Sequence, residues 1–400
     1  MKVSERIVVV GGSLAGLRAM EAMRALGHQG EIVAICGEDE MPYDRPPLSK
    51  QFLKAGWDDD RLSLRRSGFQ ELDVDWRLGC HAQSLDAGAR EIGFPDGSRL
   101  AYGGLLIATG STPRRLPGAS ALKGTHVLRS LAQARALRED LQPGSRLLVI
   151  GAGFIGMEVA ASARELGLEV TVIESLPSPL LRGLGGELGA WAMGRFADHG
   201  VDVLCGATVK GFLGETRVEG VELGDGRRIQ ADVVVAGIGV VPACEWVADS
   251  GLDIENGILC DGSGATELPD VVAAGDVARW YNPVYGEAIR YEHWTSAVEQ
   301  SAVAAERLLA GHGGVKPLAQ VPYVWSDLFE MRLAIVGDVA GSDRMHVCHG
   351  SLEGDKFLSL FGRDGKLCAA VGMKRPRPLN ACRTLIAQGA SFEDAVSANA

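Results

Sequence analysis

Two stretches of the chain share one order of apolar and polar positions. Residues 6–16, RIVVVGGSLAG, and residues 146–156, RLLVIGAGFIG, each place an apolar run before a glycine turn. In both copies an amphipathic run follows and stops at a glycine, and then a second apolar run comes, EIVAIC or EVTVIE. Short apolar runs predict buried strands, and the run of helical period between them predicts a helix. Each copy is therefore predicted to be a βαβ unit.

The glycines of the two copies correspond. Three pairs lie at one constant offset along the chain: Gly11 and Gly151, Gly16 and Gly156, and Gly27 and Gly167. A Gly-x-Gly-x-x-Gly turn between strand and helix aims the helix N-terminus at a pyrophosphate. One such motif is a weak signal, but two in the same context predict two dinucleotide sites. The alternative is a pair of glycine-rich packing turns.

The copies differ at the middle glycine and at the acid after the second strand. Ser13 replaces the middle glycine of the first copy, which restricts the approach of the backbone to a pyrophosphate. Glu174 ends the second strand of the second copy, near the spacing of an acid that binds the adenosine ribose hydroxyls. In the first copy Cys36 takes that place, and we expect Glu38 to bind the ribose. The alternative for either glutamate is a solvated loop charge.

Composition and charge exclude several classes of function. The chain has 400 residues, of which 46% are hydrophobic and 23% are charged, so it is globular. At roughly 100–200 residues per domain, two or three domains are expected. No apolar run approaches the ~18 residues that span a bilayer, and the N-terminal apolar run is too short for a signal peptide. We therefore expect a cytoplasmic protein with no membrane association. The net charge of −11 argues against a nucleic-acid partner.

The cysteines predict no metal or redox motif. The chain has eight, and none forms a Cys-x-x-Cys pair. Metal sites and redox dithiols need close spacing, so most of these residues are expected to be small buried apolar groups. No metal is predicted.

Further segments lie in a fixed order after the first fingerprint. They are MPYDRPPLSK (41–50), LLIATGSTPR (105–114), VVVAGIGVVP (233–242), VVAAGDVAR (271–279) and EHWTSAVEQ (292–300). In VVAAGDVAR we expect Asp276 at the head of a helix, where a carboxylate accepts hydrogen bonds from a polyol and interacts favourably with the helix dipole.

With the two fingerprints, this ordered set resembles the two-dinucleotide-binding flavoprotein reductases. More narrowly, it resembles the NADH:ferredoxin reductases of bacterial oxygenase systems, the putidaredoxin reductase and aromatic-ring dioxygenase reductase group. The resemblance covers nearly the whole chain, and RPPLSK and YVWSD (323–327) are its most group-specific pieces. It implies an α/β fold with two Rossmann-like dinucleotide-binding domains, one for FAD and one for NAD, plus a C-terminal α+β domain. The implied FAD domain comprises residues 1–112 and 242–317, with the NAD domain, 113–241, inserted between these segments. A C-terminal interface domain, 318–400, follows the linker GHGGVKPLAQ.

The resemblance implies an FAD-dependent NADH:ferredoxin reductase. Hydride would pass from NADH to flavin N5, and single electrons would then pass to a [2Fe-2S] ferredoxin that serves a haem monooxygenase or a Rieske-type oxygenase. The protein would be a monomer or a homodimer. Two alternatives are an NADH oxidase without a protein acceptor and an NADH-sensing redox interaction protein. No cysteine lies between Cys36 and Cys80, where disulfide reductases and single-cysteine peroxidases of this fold carry theirs, which argues against both of those classes.

The resemblance also implies roles for FAD-binding residues. Lys50 would point toward the isoalloxazine ring, Trp294 would lie beside it, and Asp276 would bind the ribityl chain. Trp325 would help to shape the flavin pocket. The other FAD-binding residues would be Gly11, Ser13, Ala15 and Gly16 at the pyrophosphate, Glu38 at the adenosine ribose, Ala82 at the adenine, Arg45 of the RPPLSK segment, and Arg129 near the phosphates.

The resemblance likewise implies roles for NADH-binding residues, most of them in the second fingerprint. Glu174 would bind the ribose and so favour NADH over NADPH, whereas Arg182 could accommodate a 2′-phosphate. Glu158 would form a partly desolvated ion pair with Lys50 where nicotinamide and flavin meet, and these two residues with Trp294 are the predicted catalytic groups. The remaining NADH-binding residues would be Gly151, Gly153, Phe154, Ile155 and Gly156 of the turn, and Gly239 of GIGVVP.

Two departures from the group's pattern lie near the C-terminus. Leu328 stands where the group usually has glutamine. The segment KRPRPLN (374–380) is more basic than usual, and an acidic ferredoxin would need such a local patch on a chain of charge −11. We expect Lys374, Arg375 and Arg377, held extended by the two prolines of the segment, to form the docking cluster. The alternative is a solvated loop unrelated to docking.

Overall fold

The computed structural model describes residues 5–65, 69–119, 122–311 and 313–399. The ends of the predicted FAD and C-terminal domains, residues 1–4 and 400, and His312 of the predicted linker lie outside the described residues. The described helices are α1 (Leu14–Ala25), α2 (Asp59–Leu62), α3 (Leu131–Asp140), α4 (Phe154–Glu165), α5 (Leu181–Asp198), α6 (Trp294–Ala310), α7 (Pro376–Ala387) and α8 (Phe392–Ala398). Described 3₁₀ turns span Pro46–Ser49, Gln70–Leu72 and Glu245–Val247.

The described strands, in chain order, are β1 (Ile7–Val10), β2 (Ile32–Ile35), β3 (Val74–Arg77), β4 (Ser84–Asp86), β5 (Glu91–Gly93), β6 (Arg99–Ala101), β7 (Gly104–Ile107), β8 (Ser111–Pro113), β9 (Thr125–His126), β10 (Arg146–Ile150), β11 (Glu169–Glu174), β12 (Val201–Cys205), β13 (Val209–Leu213), β14 (Gly220–Leu223), β15 (Arg228–Gln230), β16 (Val233–Ala236), β17 (Val240–Pro242), β18 (Ile258–Cys260), β19 (Val271–Ala273), β20 (Ala278–Asn282), β21 (Glu287–Ile289), β22 (Tyr323–Leu328), β23 (Met331–Gly337), β24 (Arg344–Gly350), β25 (Phe357–Arg363) and β26 (Lys366–Met373).

The chain divides into two compact units. The first unit comprises Met1–Asp44, Ser63–Thr112 and Val241–Pro322. Its main sheet has the strand order β19-β7-β1-β2-β3, with all neighbours parallel. The four residues of β1 are apolar and fully buried, as expected of a strand covered on both faces. Helices α1 and α6 pack against each other. Two small sheets, β4-β5-β6 and β18-β20-β21, complete this unit.

The second unit comprises Arg45–Leu62, Pro113–Val240 and Tyr323–Ala400. It contains a parallel sheet of order β12-β11-β10-β16-β9 and an antiparallel sheet of order β13-β14-β15. Its C-terminal part is an antiparallel sheet of order β22-β23-β26-β25-β24, followed by α7 and α8. The predicted fold class, with two Rossmann-like sheets and a C-terminal α+β part, is confirmed.

Both predicted βαβ units are confirmed. In the first unit β1, α1 and β2 follow in order and the two strands are parallel, with Val8 beside Val33. In the second unit β10, α4 and β11 repeat the arrangement, with Val149 beside Val172. Helices α1 and α4 each contain 12 residues. No helix in the described ranges is long and apolar enough to cross a membrane.

Candidate active site

The first fingerprint forms a tight turn between β1 and α1. Gly11 has φ +115°, and a Cβ there would lie 2.1 Å from the carbonyl oxygen of Ala108. A Cβ on Gly16 would lie 1.9 Å from the carbonyl oxygen of Gly11, so neither glycine can be replaced without moving backbone. Ser13 is the N-cap of α1, and Ala15 is buried in the first turn of that helix. The turn therefore brings the backbone N–H groups of a helix start to the carboxyl end of β1, the place where these folds bind pyrophosphate.

The residues predicted at the adenosine end lie in the first unit. Glu38 follows β2 by three positions, and its carboxylate accepts a hydrogen bond of 2.5 Å from the Tyr43 hydroxyl. This contact orients the carboxylate at the end of the strand. Tyr43 lies in the segment MPYDRPPLSK, but no local pattern links it to Glu38. Ala82 is half-buried and packs against the main core of the unit.

The predicted position of Asp276 at the head of a helix is wrong. Asp276 lies in the turn between β19 and β20. Gly275 has φ +79° and turns the chain, and the residues that follow pair as a strand with β18. The segment after Asp276, VARWYN, is rich in aromatic and β-branched residues, which favour strands. The Asp276 carboxylate accepts a hydrogen bond of 2.9 Å from the Ser111 hydroxyl. The backbone carbonyl oxygen of Asp276 accepts one of 3.1 Å from the Arg290 guanidinium.

A helix of the first unit begins instead at Trp294. Trp294 is the first residue of α6, and its indole N–H donates to a carboxylate oxygen of Asp44 at 2.9 Å. This bond fixes the orientation of the half-buried ring. Asp44 precedes the RPPLSK run directly, and no sequence pattern connects it with Trp294, 250 positions away.

The second fingerprint repeats the turn between β10 and α4. Gly151 has φ +99°, and a Cβ there would lie 2.4 Å from the carbonyl oxygen of Gly237. A Cβ on Gly156 would lie 2.1 Å from the carbonyl oxygen of Gly151. Gly153 is the N-cap of α4, and apart from its chain neighbours no described residue approaches within 4 Å of the Cβ position there. Because a glycine has no side chain to cap the helix, the first amides of α4 receive no cap from Gly153, and a phosphate group could accept from them.

Phe154 and Ile155 begin α4, and Ile155 is 43% exposed, which is unusual for a large apolar side chain in a helix of this unit.

Glu174 ends β11, as predicted. One of its carboxylate oxygens accepts from the backbone N–H of Ala152 at 2.7 Å, and the other accepts from that of Leu176 at 2.8 Å. The carboxylate is therefore anchored beside the glycine turn.

The two remaining residues predicted to bind NADH are in the second unit. Arg182 is exposed near the start of α5. Gly239 is exposed with φ +91°, and its carbonyl oxygen accepts a hydrogen bond of 2.9 Å from the backbone of Arg114.

The predicted ion pair between Lys50 and Glu158 is confirmed. The Lys50 Nζ lies 2.7 Å from Oε2 of Glu158, and the two side chains are 9% and 6% exposed. Pro46 and Pro47 start the 3₁₀ turn that ends at Ser49, and Lys50 follows as its C-cap. Proline fixes φ near the helical value, so this turn is rigid before it packs.

Two serines also bond the Glu158 carboxylate. The Ser49 hydroxyl donates to Oε2 at 2.5 Å, and the Ser326 hydroxyl of β22 donates to Oε1 at 2.7 Å. The Ser49 carbonyl oxygen accepts a hydrogen bond of 2.7 Å from Ser162 of α4. Neither serine has a spacing signal of its own, although each lies within a group-specific piece, RPPLSK or YVWSD.

Arg45 and Arg129 are brought together in the second unit. The Arg45 guanidinium donates to the carbonyl oxygen of Arg129 at 2.6 Å. Ser130, the next residue, caps α3 in a reciprocal capping box with Gln133, which fixes the backbone there. In the same unit the rings of Tyr323 and Trp325 lie 6.3 Å apart, and Leu328 is fully buried.

The prediction that prolines hold the basic cluster extended is wrong. Lys374 and Arg375 precede α7, Pro376 is its first residue and Arg377 its second. Proline at the first position of a helix loses no hydrogen bond and has a suitable φ, so it starts α7 instead of extending the chain. Lys374 also forms an ion pair of 2.9 Å with Asp355.

The cysteines have the character that their spacing predicted. Five are buried: Cys36, Cys244, Cys260, Cys368 and Cys382. Burial raises the pKa of Cys36 and of Cys382 to about 12. Such thiols are protonated at neutral pH and are poor nucleophiles. Within the described ranges, no group of three or more metal-binding side chains is present.

Two parallel sheets, each with a glycine turn at a helix start, define a protein that binds two dinucleotides. Comparisons with known proteins agree with this. The family model described as pyridine nucleotide-disulphide oxidoreductase matches residues 5–301, and a reductase C-terminal model matches residues 323–400. The chain belongs to the pyridine nucleotide-disulphide oxidoreductase family.

Relatives narrow the class and confirm the resemblance seen in the sequence. The ferredoxin–NAD(+) reductase component of the biphenyl dioxygenase system of Paraburkholderia xenovorans (strain LB400) is 36% identical over 96% of this chain and 93% of the relative. Putidaredoxin reductase of Pseudomonas putida is 32% identical over 96% of this chain and 92% of the relative. A crystal structure of the covalent putidaredoxin reductase–putidaredoxin complex matches with a TM-score of 0.91 and 32% identity, over 96% of this chain and 93% of that chain.

Proposed function

We propose that this protein is an FAD-dependent NADH:ferredoxin reductase. The observation that carries the proposal is the similarity, over 96% of the chain, to a ferredoxin–NAD(+) reductase component of a dioxygenase system. When FAD is bound, it supplies the chemistry that links a two-electron hydride donor to one-electron acceptors. NADH loses a hydride and becomes NAD⁺, two ferredoxin molecules gain one electron each, and one proton is released.

Residues of the first unit, together with Arg45 and Arg129 of the second, would hold FAD. We assign the pyrophosphate to the turn of Gly11, Ser13, Ala15 and Gly16, because the start of α1 presents its backbone amides there. Glu38, oriented by Tyr43, would bind the adenosine ribose. We further assign Ala82 to the adenine, Asp276 to the ribityl chain, Trp294 to the ring, and Arg45 and Arg129 to the phosphates.

The residues of the second unit would bind NADH and act in hydride transfer. The start of α4, from Gly153 onward, would bind the pyrophosphate. Glu174 would accept hydrogen bonds from the ribose hydroxyls and repel a 2′-phosphate. We assign Lys50 and Glu158 to the place where hydride passes. Their pairing makes the buried site neutral overall and leaves no unpaired charge beside the reacting groups.

The proposed function includes an electron acceptor, a cellular location and a division into domains. The acceptor is a [2Fe-2S] ferredoxin that feeds a haem monooxygenase or a Rieske-type oxygenase. We propose that the protein is cytoplasmic and acts as a monomer or homodimer. We also propose the division into an FAD domain of residues 1–112 and 242–317, an NAD domain of 113–241 and a C-terminal interface domain of 318–400.

The proposal is tested with purified protein and a [2Fe-2S] ferredoxin under anaerobic conditions. NADH should bleach the flavin, and the ferredoxin absorbance should then fall at a rate proportional to ferredoxin concentration. The same mixture without the reductase is the control. NADH oxidation in air that is fast without ferredoxin, together with no ferredoxin reduction, would instead indicate an NADH oxidase. Tight NADH binding with negligible turnover would indicate a redox-sensing protein.

A further inference from the structure

The Glu158 carboxylate receives more hydrogen bonds than its ion pair with Lys50 requires. Besides the Lys50 ammonium, it accepts from Ser49 on Oε2 and from Ser326 on Oε1. Glu158 and both serines are buried, and Ser326 is fully so. A carboxylate with donors on both oxygens has no freedom to rotate about its terminal bond. The direction of its bond to Lys50 is therefore fixed.

Ser326 differs from the other donors in its origin. Lys50 and Ser49 are adjacent in the chain, whereas Ser326 is in β22 of the C-terminal sheet. Strand β22 packs against α4, the helix that carries Glu158. Its pairing with β23 places Ser326 beside Leu333, so the register of the sheet sets the position of the Ser326 hydroxyl along the strand. The C-terminal sheet thus reaches the buried pair through one hydroxyl group.

We propose that Ser326 is a positioning residue for hydride transfer, which acts by holding the Glu158 carboxylate and, through it, the Lys50 ammonium. This inference rests on the proposed function, in which Lys50 and Glu158 act where hydride passes. Ser49 would play the same part on the other carboxylate oxygen. Small displacements of a positioned group reduce reaction rates steeply, so loss of one anchor should slow hydride transfer without abolishing it.

The test compares S326A with S359A. Ser359 is a matched control because it is a fully buried serine in β25 of the same sheet, and its hydroxyl has no hydrogen-bond partner among the described residues. Flavin reduction by NADH is followed anaerobically by stopped-flow, with no ferredoxin present. We expect S326A to reduce flavin about tenfold more slowly than wild type at saturating NADH. S359A should match wild type, and the affinity of S326A for NAD⁺ should change less than about twofold.

A second measurement reads the hydrogen bond directly and needs no turnover. For wild type, S326A and S359A in turn, the infrared spectrum of the same protein carrying E158Q is subtracted. The difference spectrum contains the carboxylate band of Glu158. The band should shift between wild type and S326A and stay in place in S359A. The S49A variant should also shift the band and slow flavin reduction, so the inference does not depend on one variant.

The outcomes separate clearly. An unshifted band in S326A would refute the contact, and a shifted band with an unchanged rate of flavin reduction would refute the positioning role. Weaker NAD⁺ binding with an unchanged maximal rate would assign Ser326 to nucleotide binding instead. The stopped-flow assay contains no ferredoxin, so its result for Ser326 does not depend on the acceptor. If wild type fails to reduce ferredoxin in the separate assay, the proposed function is contradicted, but the effect of S326A on flavin reduction can still be interpreted.

Discussion

Removal of one partner of the Lys50–Glu158 pair should destabilise the second unit far more than removal of both. In K50M the Glu158 carboxylate, 6% exposed, keeps its serine donors but loses its only cationic partner among the described residues. In E158Q the Lys50 ammonium, 9% exposed, loses its anion. An uncompensated buried charge costs about 3–5 kcal/mol. K50M/E158Q removes both charges of the pair, and the new amide can bond the same hydroxyls, so its cost should be about 1–2 kcal/mol.

Differential scanning calorimetry measures the Tm of each variant. For a unit of this size, each kcal/mol corresponds to roughly 2–4 °C in Tm, so each single variant should unfold about 10 °C below wild type. The double variant should recover to within about 5 °C of wild type. All samples must hold the same amount of FAD, because a bound ligand raises Tm by mass action.

A neighbouring ion pair provides the control. Lys54 and Glu165 are also 2.7 Å apart and join the same two segments, but their side chains are 37% and 36% exposed. K54M and E165Q should therefore each cost less than about 1 kcal/mol. If the Tm losses of K50M and E158Q simply add in the double variant, the buried pair carries no coupling and the reasoning is wrong.

Three further predictions follow from the site. The purified protein should be yellow, and flavin should be released on denaturation. A protein that stays colourless after incubation with FAD would contradict the proposed FAD site. Wild type should have a higher kcat/KM for NADH than for NADPH, and E174A should narrow the ratio; equal values in wild type would rule out the role of Glu174. If the basic cluster at the start of α7 guides ferredoxin, neutralising Lys374, Arg375 and Arg377 together should lower the second-order rate and flatten its dependence on salt.

The docking prediction has an internal control. Ferricyanide accepts electrons without a protein interface, so the triple variant should reduce it as fast as wild type does. An unchanged rate of ferredoxin reduction at low salt would show that the cluster is not the docking surface. The ion pair of Lys374 with Asp355 already offsets one of the three charges, so the two arginines should account for most of the effect.

The parts of the fold that could be predicted are those in which local pattern and tertiary structure agree. Both βαβ units are predictable because strand, glycine turn and helix are contiguous in the chain. Backbone within the turn requires Gly16 and Gly156, whereas Gly11 and Gly151 are required by backbone that follows a neighbouring strand, at Ala108 and Gly237. The ion pair of Lys50 with Glu158 was predicted from resemblance only. No local pattern reports a contact between residues more than one hundred positions apart.

The errors have local causes. A glycine followed by an acid after a strand is typical of a helix start, and this pattern predicts a helix at Asp276. The aromatic and β-branched residues that follow favour a strand, and they decided the outcome. At the start of α7 the two prolines suggest a stiff extended segment, although proline is equally suited to the first turn of a helix. Ser49 and Ser326 cannot be predicted, because a single serine has no spacing signature.

The origin of Ser326 has a consequence for the newly made protein. Glu158 is synthesised 168 residues before the serine that bonds its second carboxylate oxygen. Domains generally fold from the N-terminus as the chain leaves the ribosome, at about 5–20 residues per second. For many seconds α4 therefore lacks β22, and the Glu158 carboxylate lacks one of its donors. The second unit can reach its final packing only after the C-terminal sheet has emerged, so a chain that stops before Tyr323 should remain open to proteases around α4.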